Sequence, residues 1–273
     1  IRTLPFLTEW DRKYRDKGLV IIGVHTPEFE FEKKYENVKN AIEEHGIEYA
    51  VVQDNDYATW RAFKNRYWPH KYLIDSEGYI RYDHIGEGGY DETEMKIQEL
   101  LSEIGKDVSD MDISELEDKT PRTRLTLELY AGYDFALSRG QNVGNEGGLK
   151  PGEVFDYKLP SKIKEDVIYL EGKWKSNKDD LLAEDEGKII LNFIAKSVNI
   201  VGDSLKPMKM EVFIDDEYVK EEQAGDDIKF EDGKAFVLID EPKLYNVFNG
   251  EYGRYELRLN VNKGFSFNAF TFG

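Results

Sequence analysis

The apolar residues in the first part of the chain follow two patterns. In some stretches they recur every three or four residues, which predicts amphipathic helices, and in others they form short unbroken runs, which predict strands covered on both faces of a parallel sheet. The resulting order is helix, strand, helix, strand, helix, strand, strand, helix. The predicted helices cover residues 1–17, 36–45, 57–63 and 91–104, and the predicted strands cover residues 19–24, 49–52, 71–74 and 79–85.

From Arg124 onward the pattern changes to that of strands. The segment RYELRLNVN, residues 254–262, alternates strictly, which predicts one apolar and one polar face. Residues 209–219 are predicted to form a hairpin around Asp215-Asp216. In residues 265–273 the alternation of apolar positions shifts phase, and a β-bulge or burial of both faces would explain the shift. Many short strands separated by turn signals predict an all-β sandwich or jelly roll.

An acidic stretch separates the two patterns. Residues 105–121, GKDVSDMDISELEDKTP, contain mostly acidic and isolated apolar residues, as is typical of a linker. A chain of 273 residues is long enough for two domains of ordinary size. We therefore predict an α/β domain at residues 1–104, a linker at 105–121 and a β-sandwich domain at 122–273.

Composition excludes some classes of function. A net charge of −18 opposes binding to nucleic acid, because such binding needs clustered Lys and Arg. No apolar run approaches the roughly 20 residues of a membrane helix. The chain begins without Met and without a signal peptide, so we interpret it as a mature product or a fragment. The histidines match no zinc-binding spacing, and we predict no metal or cofactor; they are His25, His45, His70 and His84.

Three segments carry a resemblance to a known family: RYWPHKYLIDSEGYIR, DNDYATW and GVHTPEFEFEK. They resemble the extracytoplasmic C-terminal part of the DipZ-like branch of the TlpA/thioredoxin-like family, most closely over residues 1–104. This implies a thioredoxin-like fold truncated at its N-terminus and a thiol–disulfide oxidoreductase outside the cytoplasm. The family has a redox Cys-x-x-Cys, but this chain has no Cys. The resemblance places that pair just before Ile1, so the chain itself should be redox-inactive.

The resemblance also implies a substrate loop centred on a cis Trp68-Pro69 peptide. The Trp68 backbone would pair with an extended partner segment. Tyr67 and His70 flank this dipeptide, and His70 is either a substrate contact or an exposed loop residue. The implied partners are proteins with thiols or disulfides, and an upstream membrane domain that transfers electrons.

Four further residues are expected beside this site. Pro5 is either the helix kink that the family places five residues after its second cysteine or an ordinary N-terminal turn proline. His25, Pro27 and Glu28 lie in the loop after the first predicted strand. His25 and Glu28 could tune a thiol or shuttle its proton. Alternatively, they cap and brace the following helix.

The second domain resembles the C-terminal module of the same proteins, whose fold is similar to carbohydrate-binding modules. The segments LKPGEVFDYKLP, VIYLEGKW, AKSVNIV and FTFG carry this likeness. Tyr157, Trp174 and Tyr245 are candidates for a sugar-stacking platform, with core positions as the alternative. Two functions therefore remain open. The chain is part of an oxidoreductase, or it is a non-catalytic adaptor that binds peptide or glycan, and the residues before Ile1 distinguish them.

Overall fold

The computed structural model describes residues 2–273, which form two compact units. The first unit ends at Thr120, and the second extends from Pro121 to Gly273. The α-helices are α1 (Leu4–Tyr14), α2 (Tyr35–Glu44), α3 (Ala58–Ala62), α4 (Tyr90–Glu103) and α5 (Tyr133–Ser138). The 3-10 helices are Arg15–Lys17, Glu30–Lys33 and Glu221–Gln223.

The strands divide between the two units. The first unit contains β1 (Ile22–His25), β2 (Ala50–Gln53), β3 (His70–Ile74) and β4 (Ile80–Ile85). The second unit contains β5 (Leu129–Tyr130), β6 (Val154–Tyr157), β7 (Tyr169–Ser176), β8 (Leu181–Ser204), β9 (Met208–Ile214), β10 (Glu217–Tyr218), β11 (Ile228–Glu231), β12 (Lys234–Ile239), β13 (Lys243–Val261) and β14 (Phe265–Phe272). The predicted order of an α/β domain followed by an all-β domain is confirmed.

The core of the first unit lies between α1 and α4. Their apolar residues recur at helical spacing and so share one face of each helix. Phe6 in α1 stacks on Tyr90 in α4, with ring centroids 3.6 Å apart. The buried members of this core are Phe6, Trp10, Tyr14, Tyr90, Ile97, Leu101 and Val108.

The segment predicted as a linker packs within the first unit as far as Thr120. Val108 is buried in the core of α1 and α4. The Ser114 backbone N–H donates to the Glu94 carboxylate at 2.9 Å, and the Ser114 hydroxyl donates to the same carboxylate at 3.0 Å. Because these contacts hold the segment, the division between the two units falls after Thr120 and not after residue 104.

Pro5 lies in the first turn of α1, which runs without interruption from Leu4 to Tyr14. A first-turn N–H has no partner within the helix, so proline loses no hydrogen bond there. In the described residues Pro5 thus has the position of a turn proline, and the kink that the family resemblance implies stays a prediction.

The first unit has two separate two-stranded sheets. β1 and β2 are parallel, with Ile22 opposite Ala50 and Val24 opposite Val52. β3 and β4 are antiparallel, and His70 is opposite Ile85. The predicted burial of the first strand on both faces is wrong, because Ile22 is 59% exposed and Val24 is 42% exposed. One face of β1 and β2 is thus apolar and open.

The second unit is one sheet of ten strands in which every ladder is antiparallel. Its main path is β11-β12-β9-β13-β8-β14-β5. The two longest strands, β8 and β13, pair along most of their length. The predicted alternation in β13 is borne out, because Leu257 and Leu259 are buried while Arg258 on the other face pairs with Asp216. The helix α5 was not predicted from the sequence.

Candidate functional site

The loop between α3 and β3 exposes two large aromatic side chains. Tyr67 is 51% exposed and Trp68 is 42% exposed. The Trp68–Pro69 peptide bond is cis. Among the described residues, neither the backbone N–H nor the carbonyl of Trp68 has a hydrogen-bond partner. The loop therefore presents backbone polar groups together with apolar surface.

The Trp68 side chain joins this loop to the end of β1. Its indole Nε1 donates to the Thr26 carbonyl at 3.1 Å. Its ring also lies 4.1 Å from that of Trp60 in α3, measured between centroids. The carboxyl ends of strands are where ligand sites gather in open α/β sheets. Trp68 is thus half exposed yet held in a defined position at such an end.

His70 holds both ends of the same loop. Its Nδ1 is 2.7 Å from Asn65 Oδ1, and its Nε2 is 2.7 Å from Asp83 Oδ2. Asn65 in turn donates from Nδ2 to the Tyr67 carbonyl at 3.1 Å. The His70 side chain is only 8% exposed. These contacts position the loop, and the alternative of an exposed loop histidine is wrong, whereas contact of His70 with a substrate stays a prediction.

The loop after β1 is braced from within. His25 Nε2 lies 3.1 Å from the Glu32 carbonyl. The Glu32 carboxylate accepts the backbone N–H of Glu28 at 2.6 Å. The carbonyl of Pro27 accepts the Tyr57 hydroxyl. These contacts agree with bracing for His25, and they show that Glu32 and Tyr57, which were not predicted, hold the loop.

Asp54 fixes the start of α3 beside this loop. Its carboxylate accepts the backbone N–H groups of Thr59 at 2.9 Å and Trp60 at 2.8 Å. Burial alone would raise the pKa of Asp54, but these N–H groups outweigh burial and lower it. Asp54 therefore caps the start of α3 from the preceding turn.

We expect Asp54→Ala to lower the free energy of unfolding of the first unit by about 1 to 2 kcal/mol, as for other lost helix caps. The measurement is chemical denaturation near neutral pH. Asp56→Ala is the control, because Asp56 lies in the same turn and its side chain is exposed. Equal losses in the two variants would contradict the assigned cap.

Hydrogen bonds of Gly86 and Glu87 reach Pro69 on one side and Arg2, just before α1, on the other. The Pro69 carbonyl accepts the Gly86 N–H at 2.8 Å. The next residue, Glu87, accepts Arg2 Nε–H at 2.7 Å. Pro5 is exposed one turn further along α1. The structure therefore links the aromatic loop to the N-terminal end of α1 through residues 86–87.

Sequence reasoning missed Lys71, which follows His70 in β3. Its Nζ donates to the carbonyls of Gly88 at 3.1 Å and Gly86 at 3.4 Å. It also lies 5.0 Å from the centroid of the Tyr90 ring. Burial lowers the pKa of Lys71 to about 8. The alternation of side chains in β3 could have indicated that Lys71 is partly buried, since it places Lys71 on the same face as Leu73, which packs against the core.

The three aromatics proposed as a sugar platform lie in the core of the second unit. Tyr157 and Trp174 are fully buried, and Tyr245 is nearly so. Trp174 Nε1 donates to the Glu171 carbonyl at 2.9 Å, and the Tyr245 hydroxyl donates to the Glu241 carbonyl at 2.5 Å. A ring without exposed surface cannot stack on a sugar. The platform prediction is therefore corrected, and the alternative of core positions describes all three.

Residues 2–273 contain no group of three or more His, Cys, Asp or Glu side chains placed to hold a metal ion. Within the same range, no helix is both long and apolar enough to cross a membrane.

Known proteins show similarity to both units. The family model described as "Thioredoxin like C-terminal domain" matches residues 126–273. Protein DipZ of Mycobacterium tuberculosis is 38% identical over 204 residues, which cover 73% of this chain and 28% of DipZ. Thiol-disulfide oxidoreductase YkuV of Bacillus subtilis is 31% identical over 100 residues, which cover 37% of this chain and 67% of YkuV.

A solution structure of a thioredoxin-like protein in the oxidized form is 30% identical, with a TM-score of 0.35, and the match covers 37% of this chain and 68% of that chain. The chain spans little more than a quarter of the length of DipZ, 28%. The match to DipZ agrees with the family resemblance that the sequence motifs carry. The chain therefore belongs to the thioredoxin-like C-terminal domain family, within the DipZ-like group of thiol–disulfide oxidoreductase-type proteins.

Proposed function

We propose that the first unit is the partner-docking scaffold of an extracytoplasmic thiol–disulfide oxidoreductase. The redox cysteine pair would lie in the preceding part of the parent protein, and an upstream membrane domain would exchange electrons with it. This chain, which has no Cys, is then inactive by itself. The partners are proteins with an accessible thiol or disulfide.

The observation that carries this proposal is the exposed loop at Tyr67 and Trp68. The unpaired N–H and carbonyl of Trp68 can accept one residue of an extended partner segment, as in strand addition. The contacts of Trp68 with Thr26 and of His70 with Asn65 hold these groups in place before binding. Such preorganisation lowers the entropic cost of docking.

The open apolar face of β1 and β2 supports a larger parent domain. Parallel sheets are normally covered on both faces. Ile22 and Val24 in β1 and Val52 in β2 are exposed on this face. Additional chain that covers them would complete the sheet near the aromatic loop.

The reaction is disulfide exchange. One thiolate of the pair attacks a sulfur of the partner disulfide, so one S–S bond forms and the partner's S–S bond breaks. The released partner sulfur leaves as a thiolate and takes up a proton. The second thiolate then attacks the mixed disulfide, and the pair is oxidised while the partner is reduced. The residues of this chain would orient the partner during both steps.

We expect Trp68→Ala, made in the complete extracytoplasmic region of the parent, to lower kcat/KM for a protein disulfide about tenfold. An interface aromatic commonly contributes more than 1 kcal/mol, and about 1.4 kcal/mol corresponds to a factor of ten. Turnover of a small disulfide such as oxidised glutathione should change little, because it makes no strand contact. Both rates are measured at the same enzyme concentration.

The matched control is Tyr79→Ala, since Tyr79 is an exposed aromatic in the β3–β4 hairpin away from the loop. Equal loss for protein and small disulfides, or the same loss in Tyr79→Ala, would refute docking at Trp68. If the wild-type region exchanges no disulfide but binds an extended peptide through Trp68, the adaptor function replaces the enzymatic one. Cell fractionation of the parent tests its location outside the cytoplasm.

A further inference from the structure

The segment that runs from α3 into β3 is basic, although the chain as a whole is acidic. Residues 57–74 contain no Asp or Glu, whereas the whole chain has 55 of them and a net charge of −18. The same segment contains four Lys or Arg residues, of which Lys71 is partly buried. The other three are exposed and are called the loop cations below: Arg61, Lys64 and Arg66. The loop that presents Tyr67 and Trp68 therefore carries a local positive charge.

The loop cations have no carboxylate partner. Among residues 2–273, their side chains form neither an ion pair nor a hydrogen bond. Two acidic residues of the same region are engaged elsewhere. Asp83 lies 2.7 Å from His70 Nε2, and Asp54 accepts the backbone N–H groups of Thr59 and Trp60. The positive charge of the loop cations is therefore available to a binding partner.

The turn after α3 ties the loop cations to the exposed aromatic residues. Lys64 has a φ of 52°, the left-handed conformation that commonly follows the end of a helix. Its N–H donates to the Arg61 carbonyl at 3.0 Å. The next N–H, that of Asn65, donates to the Trp60 carbonyl at 2.9 Å. The Trp60 ring contacts that of Trp68, with centroids 4.1 Å apart, so these bonds keep the turn beside the aromatic loop.

Salt screening determines which charges a partner senses at this loop. At physiological ionic strength the Debye length is about 8 Å. A segment that pairs with the Trp68 backbone therefore senses the loop cations more strongly than the distant acidic residues of the chain. Arg also binds carboxylates through two parallel hydrogen bonds. Complementary charge of this kind raises the association rate and the selectivity for a partner.

We propose that the aromatic loop selects extended partner segments that carry Asp or Glu beside their thiol or disulfide. The Tyr67 and Trp68 side chains and the free Trp68 backbone hold the segment, and the loop cations pair with its carboxylates. Elsewhere the excess of acidic residues repels such a segment, which favours its approach to this loop. The inference rests on the proposed function and names the class of partner that the same site takes.

The first test measures binding of labelled peptides to this chain by fluorescence anisotropy. Three peptides of equal length share an apolar, extended centre and differ only in the flanking residues, which are Glu, Gln or Lys. At physiological salt we expect the Glu peptide to bind about tenfold more tightly than the Gln peptide, and the Lys peptide to bind most weakly. The difference should shrink as salt is added, because exposed charges are screened. Equal affinities, or no measurable binding of any peptide, would overturn the proposal.

Neutralising the loop cations should abolish the preference for the Glu peptide. Glutamine keeps a polar side chain at each exposed position, so the variant combines Arg61→Gln, Lys64→Gln and Arg66→Gln. The Glu peptide should then bind no more tightly than the Gln peptide. Binding of the Gln peptide itself should stay unchanged, because its contacts are with the aromatic side chains and the backbone of the loop.

The matched control makes the same change of net charge in the second unit. It replaces three exposed lysines and combines Lys162→Gln, Lys164→Gln and Lys178→Gln. This variant should keep the wild-type preference for the Glu peptide. If the control loses the preference as well, net charge and not the loop cations is its cause, and the proposal is overturned.

The second test uses the complete extracytoplasmic region of the parent and versions of the same peptides that contain a disulfide. The values of kcat/KM should follow the order Glu, Gln, Lys, with about a tenfold difference between the first two. Exchange at equal kcat/KM for the Glu and Gln peptides would overturn this inference alone. If the region exchanges no disulfide while the chain still prefers the Glu peptide, the proposed oxidoreductase function fails and acidic docking stands.

Discussion

Replacing Glu94 with glutamine is expected to lower the free energy of unfolding of the first unit by about 3 kcal/mol, because it disrupts a buried charged network. Glu94 in α4 is 1% exposed. Its carboxylate accepts Trp10 Nε1–H at 2.9 Å, Lys13 Nζ at 2.5 Å and the Tyr14 hydroxyl at 2.7 Å. It also accepts two hydrogen bonds from Ser114. Glutamine has one acceptor oxygen, and its amide N–H groups would face donors.

The loss of stability caused by Glu94→Gln should be confined to the first unit. Hydrogen–deuterium exchange across a urea series reports residues 2–120 and residues 121–273 separately, which is necessary because a two-unit chain need not unfold in one step. Glu99→Gln on the same helix is the control, since Glu99 pairs with Lys96 at the surface, where the two side chains are 47% and 41% exposed. Its effect should be below about 1 kcal/mol. Equal effects of the two substitutions would contradict the network.

The same network predicts a pH dependence. Burial by itself would raise the pKa of Glu94, but Lys13, Ser114 and Tyr14 outweigh burial and lower it. A carboxyl whose pKa is lower in the folded state stabilises the fold above its unfolded pKa, about 4.3. This stabilisation is lost as the pH falls through the folded pKa. The difference between wild type and Glu94→Gln should therefore shrink in acid and stay constant near neutrality.

Trp174→Ala is expected to have the largest effect in the second unit, a loss of about 4 kcal/mol in its free energy of unfolding. Trp174 in β7 is fully buried. A Cβ added to Gly187 would lie 2.9 Å from Trp174 Cζ2, which shows how closely the indole is packed. Alanine would leave a cavity and remove the indole N–H that donates to the Glu171 carbonyl.

Phe230→Ala is the matched control for Trp174→Ala. Phe230 lies in β11 at the edge of the sheet and is exposed. Its truncation should cost less than about 1 kcal/mol, because little apolar surface is uncovered. Urea denaturation followed by the near-ultraviolet circular dichroism of the second unit measures both variants. A Trp174→Ala unit of wild-type stability would refute the core position.

The helical periodicity of α1 and α4 was sufficient to predict their buried faces, because apolar spacing depends only on the geometry of one helix. It could not identify Glu94 as buried. The donors to Glu94 come from α1 and from Ser114, which is distant along the chain. An acidic residue at a polar position of a helix is usually solvated. Only the packing of α1 and Ser114 against α4 shows that Glu94 is buried.

For the aromatic residues, too, the sequence pattern could not predict which side chains are exposed. Their spacing predicted strands and helices, but Trp174 and Trp68 have opposite environments, one enclosed and the other 42% exposed. Likewise, His70 and Lys71 are adjacent in sequence, and strand alternation sends them to different faces. The motif around Pro69 identified the loop and its family, but not which of its side chains are accessible.

The sequence by itself determined the class of each unit, the order of most elements and the family, because periodicity and short motifs are local properties of the chain. Only the tertiary structure decided that Trp68 is accessible, that His70 and Glu94 are enclosed, and that the Lys71 amine lies over the Tyr90 ring. Exposure, hydrogen-bond partners and the pKa of a buried group depend on residues brought together from distant parts of the chain. No local pattern encodes that proximity.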